Sequence, residues 1–227
     1  MRTGELYAEG RGRIVGLVTG LSPEQAAAPV PTCPDWSVTD VLAHLTGICA
    51  DVLAGNTEGV ATDPWTEAQV SARRGRDIDE LVAEWSEAAP QVEALSEAFP
   101  PELGAQWITD LTTHEHDIRT AIDQPGARDS AGVDTGLDFV VTIGFQPSVA
   151  THGLPPIEVR TADKAWNATG VVTGAAVEGP PFELFRALTG RRSAGQIRAL
   201  FWSVDPEPYL AAFEFGPFTV ARADIDE

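Results

Sequence analysis

Apolar residues recur at helical spacing through the first half of the chain, which predicts four main helices. Ser37 and Asp40 form a capping box, in which both side chains satisfy free backbone N–H groups, so a helix is expected to begin there. Three prolines between residues 29 and 34 exclude a helix in the segment just before the capping box. The four helices suggest an up-and-down bundle. They are expected over residues 4–20, 37–54, 77–97 and 103–123.

The pattern changes in the second half, where short segments of Val, Ile, Thr and Trp broken by glycine predict strands. One more helix is expected over residues 136–150, followed by a linker at Leu154-Pro155-Pro156. The expected strands are 157–161, 164–169 and 175–177, with short helices at 182–188 and 193–200. We therefore predict an α+β protein of two domains, a helical bundle over residues 1–150 and a small α+β domain over residues 151–227.

Charge narrows the classes of partner. The 227 residues contain 15 Lys and Arg against 34 Asp and Glu, a formal net charge of −19, which disfavours nucleic acid and anionic lipid. The chain has neither an apolar run of about 20 residues nor a signal-peptide pattern at its start, so we expect a cytoplasmic protein without a membrane span. Two cysteines, Cys33 and Cys49, are too few for a disulfide scaffold. A monomer and a homodimer both remain open.

Polar side chains that could take part in catalysis or bind a metal lie on two of the predicted bundle helices. On a helical wheel of residues 103–123, His114 falls within the apolar stripe, and Asp110 and Asp117 lie along its edge. His44 borders the stripe of the helix over residues 37–54. An inward carboxylate is costly unless it is paired, hydrogen-bonded or bound to a metal. Two imidazoles and one carboxylate are typical of a catalytic divalent-metal site with open coordination positions.

The spacing also permits a purely structural interpretation. An inward His–Asp pair can be a hydrogen bond within the core, and Asp-x-x-x-His is a weak motif. Glu115 and His116 point elsewhere on the wheel and are interpreted as supporting or surface groups.

Arginines are denser in the second half of the chain. One of them, with Arg186 and Arg191 as the candidates, could bind a substrate carboxylate through its planar fork. Salt bridges to the abundant acidic residues are the alternative.

The segments Thr32–Leu45, His114–Arg119 followed by Pro125–Arg128, and Phe182–Ser193 carry a resemblance to a known family. They are similar, in that order, to the signature, the second block and the C-terminal domain of the mycothiol-dependent maleylpyruvate isomerase family. That family combines a DinB-like metal-binding bundle with a sterol-carrier-like second domain. The resemblance covers nearly the whole chain.

By position, the resemblance implies that His44, Asp110 and His114 bind a divalent metal, usually zinc, and that Asp117 orients a ligand. The family has a glutamate where this chain has Asp110, which is one methylene shorter and puts the metal's affinity and identity in question. The implied activity uses mycothiol, whose metal-bound thiolate attacks an electrophilic small molecule. The outcome would be cis–trans isomerisation or thiol transfer.

Two other functions remain open at this point. The protein could be a non-catalytic ligand-binding or regulatory protein with a vacant or structural metal site. It could also be a metal-dependent hydrolase that activates water and needs no thiol.

Overall fold

The computed structural model describes residues 2–167 and 174–227, which fall into two compact units. The chain is mixed α+β, mostly helical with small sheets. The first unit extends to Gly126, and the second runs from Ala127 to Asp226. The helices of the first unit are α1 (Thr3–Val18), α2 (Pro23–Ala26), α3 (Val38–Ala54), α4 (Asp63–Ala72), α5 (Ile78–Leu95) and α6 (Pro101–Ala121).

The four long helices α1, α3, α5 and α6 share one hydrophobic core. Helix α3 begins as the capping box predicts, because the Ser37 Oγ accepts from the Asp40 N–H at 3.2 Å and the Asp40 carboxylate accepts from the Ser37 N–H at 2.8 Å. It ends at Gly55, whose φ of 70° favours glycine. Helix α5 continues through Pro90.

The proline-rich segment before α3 is extended, as its sequence indicates. Strands β1 (Pro29–Val30) and β2 (Cys33–Ser37) pair antiparallel, and β2 leads directly into α3.

The second unit surrounds a core of its own, formed by helices and one small sheet. The elements of this unit are α7 (Ala131–Phe139), α8 (Gln146–Thr151), β3 (Glu158–Arg160), β4 (Ala165–Trp166), β5 (Ala176–Glu178), α9 (Pro181–Leu188), α10 (Ala194–Arg198) and β6 (Phe201–Trp202). Strand β3 pairs antiparallel with β4 and parallel with β5, and β6 extends the sheet antiparallel to β5. The last two residues of the strand predicted over 164–169 lie outside the described residues.

The compact units divide at Gly126 rather than at the expected boundary near residue 150. The helical segment expected over 136–150 consists of the end of α7, a π-helical stretch (Val140–Phe145) and most of α8. Its apolar side chains, among them Leu137 and Phe145, are buried in the second core. The linker prolines therefore follow a helical segment that already belongs to the second unit.

Among the described residues, no helix is long and apolar enough to cross a membrane.

A small polar network lies inside the first core. The Tyr7 hydroxyl lies 3.4 Å from the Cys49 Sγ and accepts a hydrogen bond of 3.1 Å from the Trp85 indole Nε1. Burial raises the pKa of the Cys49 thiol to about 11, because the enclosed site disfavours the thiolate. Cys33 is only partly buried.

We expect a thiol reagent at pH 8 to modify Cys33 rapidly in the folded chain, and to modify both Cys33 and Cys49 after unfolding. A thiol with a pKa of about 11 is ionised to only about one part in a thousand at that pH. Since the unfolded thiol ionises near pH 8.5, the contribution of Cys49 to stability is complete below that pH and is lost as the pH rises towards 11. Equally fast modification of both cysteines in the folded protein would contradict this description of the core.

Candidate metal centre

Helices α3 and α6 bring three of the predicted site residues together. His44 Nε2 lies 3.5 Å from the Asp110 Oδ1, and His114 Nε2 lies 3.7 Å from the same oxygen. The two imidazole rings meet edge to face, with centroids 5.1 Å apart. One ligand atom from each of the three residues lies within 4.8 Å of the others. The two histidines are far apart in the sequence, so it is the packing of α3 against α6 that creates the cluster.

Each histidine is held through the nitrogen that faces away from the cluster. His44 Nδ1 lies 2.7 Å from the Gln69 Oε1, and His114 Nδ1 lies 3.0 Å from the Asp117 Oδ2. Because both partners are acceptors, the hydrogen of each neutral ring lies on Nδ1, and the lone pair of Nε2 points into the cluster. This arrangement is typical of histidines that bind metals.

The two histidines of the cluster are more enclosed than its carboxylate residue. The side chains of His44 and His114 are 4% and 10% exposed, whereas that of Asp110 is 32% exposed. The Trp36 ring covers both imidazoles, with its centroid 5.4 Å from His44 and 6.1 Å from His114.

The distances suit a divalent ion. Four-coordinate zinc has ligand bonds of about 2.0–2.2 Å, which places neighbouring ligand atoms about 3.3–3.6 Å apart. The two separations from Asp110 Oδ1 to the imidazole nitrogens, 3.5 and 3.7 Å, are close to this range. The shorter side chain of Asp110 thus reaches both imidazoles without a bridging group.

Asp117 and its neighbours on α6 are more deeply buried than the helical wheel suggests. Asp117 is fully buried beside His114. Glu115 and His116, interpreted from the wheel as supporting or surface groups, are both buried, so neither is a surface group. The reason is that α6 is packed against both α1 and α3, so more than one of its faces is covered.

Glu115 forms a buried ion cluster that joins α1 to α6. Its carboxylate accepts from Arg13 Nη2 at 2.7 Å and from Arg119 Nη2 at 2.9 Å. The carboxylate is fully enclosed, while the side chains of Arg13 and Arg119 are 30% and 12% exposed.

The two arginines predicted to bind a substrate carboxylate, Arg186 and Arg191, lie in the second unit. Arg186, on α9, is fully buried in that unit. Arg191 is partly buried, and its Nη1 donates to the Thr189 carbonyl at 2.6 Å. Arg192 and Arg198 form ion pairs with Glu183 and Glu207, as the salt-bridge alternative proposed.

Sequence reasoning missed two residues that touch the cluster. Trp36 immediately precedes the capping box, and a tryptophan beside a proline-rich turn was a signal that could have been used. Gln69 lies on α4, where only Gln69 and Val70 are buried, so its apolar pattern is weak. Nothing in the local sequence marks this glutamine as part of a site.

These features define a class of protein: a helical unit that presents two histidines and one carboxylate as a potential metal centre, followed by a small α+β unit. The family model for the mycothiol maleylpyruvate isomerase N-terminal domain matches residues 7–124. The chain belongs to this family.

Comparison with solved structures supports the same fold. The chain is similar to the crystal structure of a histidine-to-alanine mutant of the mycothiol-dependent maleylpyruvate isomerase, with a TM-score of 0.59. The match covers 88% of this chain and 91% of that one at 9% sequence identity. No curated protein matches the chain.

Proposed function

We propose that this protein is a cytoplasmic enzyme that uses a divalent metal and mycothiol to act on an electrophilic small molecule. The observation that carries the proposal is the convergence of His44 Nε2, His114 Nε2 and the Asp110 carboxylate. Zinc is the ion we favour, because imidazole and carboxylate donors in a three-residue set are typical of catalytic zinc. Membership of the family supports mycothiol as the thiol.

In this proposal His44, Asp110 and His114 hold the ion. When bound, it would supply Lewis acidity that lowers the pKa of a coordinated thiol. Asp117 keeps the hydrogen of His114 on Nδ1 and so holds the ring in its ligand orientation. The Trp36 ring packs beside the imidazole of His44 and would help to exclude water from that face.

Two reactions are consistent with such a site. In the first, the thiolate sulfur adds to one carbon of a cis double bond, and the π electrons move onto the adjacent carbonyl. Rotation about the resulting single bond and expulsion of the thiolate then give the trans isomer, with the thiol regenerated. In the second, the sulfur displaces a leaving group, so that a C–S bond replaces the bond to the departing anion and the thiol is consumed.

A substrate carboxylate would need a cationic partner. Arg191 is the better candidate, because it is only partly buried. Arg186 is fully enclosed, and in this proposal it supports the second unit around Arg191.

Thiol dependence is the direct test of this function. We expect turnover of maleylpyruvate, or of a haloalkane probe, when mycothiol and zinc are both present, and none above background when either is left out. The isomerase route returns the thiol unchanged, whereas the transferase route consumes one thiol for each product. Turnover of a hydrolysable substrate without any thiol would instead support the hydrolase alternative, and the thiol mechanism would then be wrong.

A groove on the second unit favours a second candidate function, the binding of an apolar ligand. The groove has a volume of about 810 Å³ and lies between the β5–α9 connection and the region of α10 and β6. Its apolar lining includes Pro180, Leu200 and Phe201. Native mass spectrometry of the full chain should detect a co-purifying ligand if this is the function, and an unliganded mass would argue against it.

A further inference from the structure

The short helix α4 contributes a single polar side chain to the neighbourhood of the metal cluster. Gln69 is 2% exposed, and its Oε1 lies 2.7 Å from the His44 Nδ1. An amide can present either its oxygen or its NH₂ group to an imidazole. Which one it presents decides the tautomer of His44, and hence whether Nε2 has a free lone pair.

The opposite end of the amide settles its orientation. Gln69 Nε2 donates to the Asp51 Oδ2 at 2.7 Å, and a carboxylate can only accept. The other carboxylate oxygen accepts from the Asn56 Nδ2 at 2.9 Å, which holds Asp51 in place. The NH₂ group of Gln69 therefore faces Asp51, and its carbonyl oxygen faces His44.

The packing of α3, α4 and α5 brings this glutamine close to His44. At Gly47 a Cβ would lie 2.5 Å from the Gln69 Cβ, so only glycine allows this approach of α4 to α3. Arg73 donates to the backbone carbonyl of Gln69 at 3.2 Å and to the Glu84 carboxylate of α5 at 2.6 Å, which ties α4 to a third helix. The position of Gln69 is thus built into the fold of the first unit.

We propose that Asp51 and Gln69 form a relay that fixes the Nδ1–H tautomer of His44 and thereby positions His44 Nε2 as a metal ligand. This inference rests on the proposed metal-dependent function. Both residues act through His44 and are positioning residues. Asp51 touches none of the three ligands, yet its carboxylate sets the direction of the whole chain of hydrogen bonds.

The relay differs chemically from the support of the other histidine. His114 is held by the carboxylate of Asp117, whereas His44 is held by a neutral amide. A second carboxylate at this point would add negative charge beside the ion and weaken its Lewis acidity. The amide therefore fixes the ring without adding charge, which suits a centre that must lower the pKa of a thiol.

Zinc affinity of the full chain, measured by competition with a chromophoric chelator, tests the relay. Removing a group that supports a metal-binding histidine costs about 10–100-fold in affinity, so we expect a loss of this size in Gln69→Leu and of about tenfold in Asp51→Ala. Gln91→Leu is the matched control, because Gln91 is an exposed glutamine on α5 whose side chain donates to the backbone carbonyl of Glu87. It should bind zinc as the wild type does.

The tautomer of His44, measured by nitrogen NMR on the metal-free chain at alkaline pH, provides a second readout. We expect the Nδ1–H tautomer in the wild type. In Asp51→Ala the side-chain amide of Gln69 is free to rotate by about 180°, so a larger fraction of His44 should carry its hydrogen on Nε2. Unchanged zinc affinity and an unchanged tautomer in both variants would overturn the relay. A wild type that binds no zinc but shows the expected tautomers would uphold the relay and reject the proposed metal function.

Discussion

Replacing His114 with alanine should abolish thiol-dependent turnover. In the proposed centre His114 supplies one of the three ligand atoms. Its loss leaves one histidine and one aspartate, which are too few ligands to hold the ion firmly. Removing groups that only support a metal ligand already costs about 10–100-fold, so we expect a loss of more than about 100-fold in zinc affinity and in activity. His44→Ala should behave in the same way, because the two rings occupy equivalent positions around Asp110.

The matched control is His152→Ala. His152 is an exposed histidine in the second unit, with its Nδ1 2.9 Å from the Ser148 carbonyl. Activity and zinc affinity should stay at the wild-type level in this variant. Circular dichroism and the unfolding midpoint of each metal-free variant separate loss of the site from loss of the fold. Full activity in both His44→Ala and His114→Ala would show that the cluster is not the catalytic centre.

The second large effect is expected on stability, from Glu115→Gln. Glu115 is fully enclosed and pairs with both Arg13 and Arg119, so the substitution removes the carboxylate that the two guanidinium groups share, and Arg13 retains the weaker attraction of Glu9. Breaking a buried ion pair costs about 3–5 kcal/mol. We expect about 3 kcal/mol, at the lower end of this range, because the Arg13 side chain is 30% exposed and partly hydrated.

Glu67→Gln is the control for this prediction. The Glu67–Arg74 pair is exposed at both ends and its closest atoms are 3.5 Å apart, so its loss should cost less than about 1 kcal/mol. Both variants are to be unfolded with urea in the presence of a chelator, which removes any contribution of metal binding. Similar free energies of unfolding for the two variants would mean that the Glu115 cluster does not hold α1 to α6.

The beginning of α3 and the candidate ligands were predictable because their signals are local. The capping box at Ser37 fixes where α3 begins, and this sets the position of His44 along the helix. The helical period places Asp110 and His114 one turn apart on α6. The resemblance to the family joined these residues into one predicted site, and the distances in the structure now bring them together.

The features that sequence reasoning did not predict depend on packing between distant segments. Gln69 meets His44 only because Gly47 lets α4 approach α3, and no local pattern encodes that contact. Glu115 is a charged residue whose burial depends on partners from α1 and from its own helix. The compact units divide at Gly126, whereas the Leu154-Pro155-Pro156 segment has a stronger sequence signal than the turn where the units divide.

Metal content, measured by elemental mass spectrometry on the purified full chain and on His114→Ala, tests the central claim most directly. The proposed centre predicts about one zinc or similar divalent ion per wild-type chain, and its loss in the variant. A wild-type chain that holds no metal, even after reconstitution with excess zinc, would contradict it. The His44–Asp110–His114 cluster would then be a hydrogen-bonded part of the core.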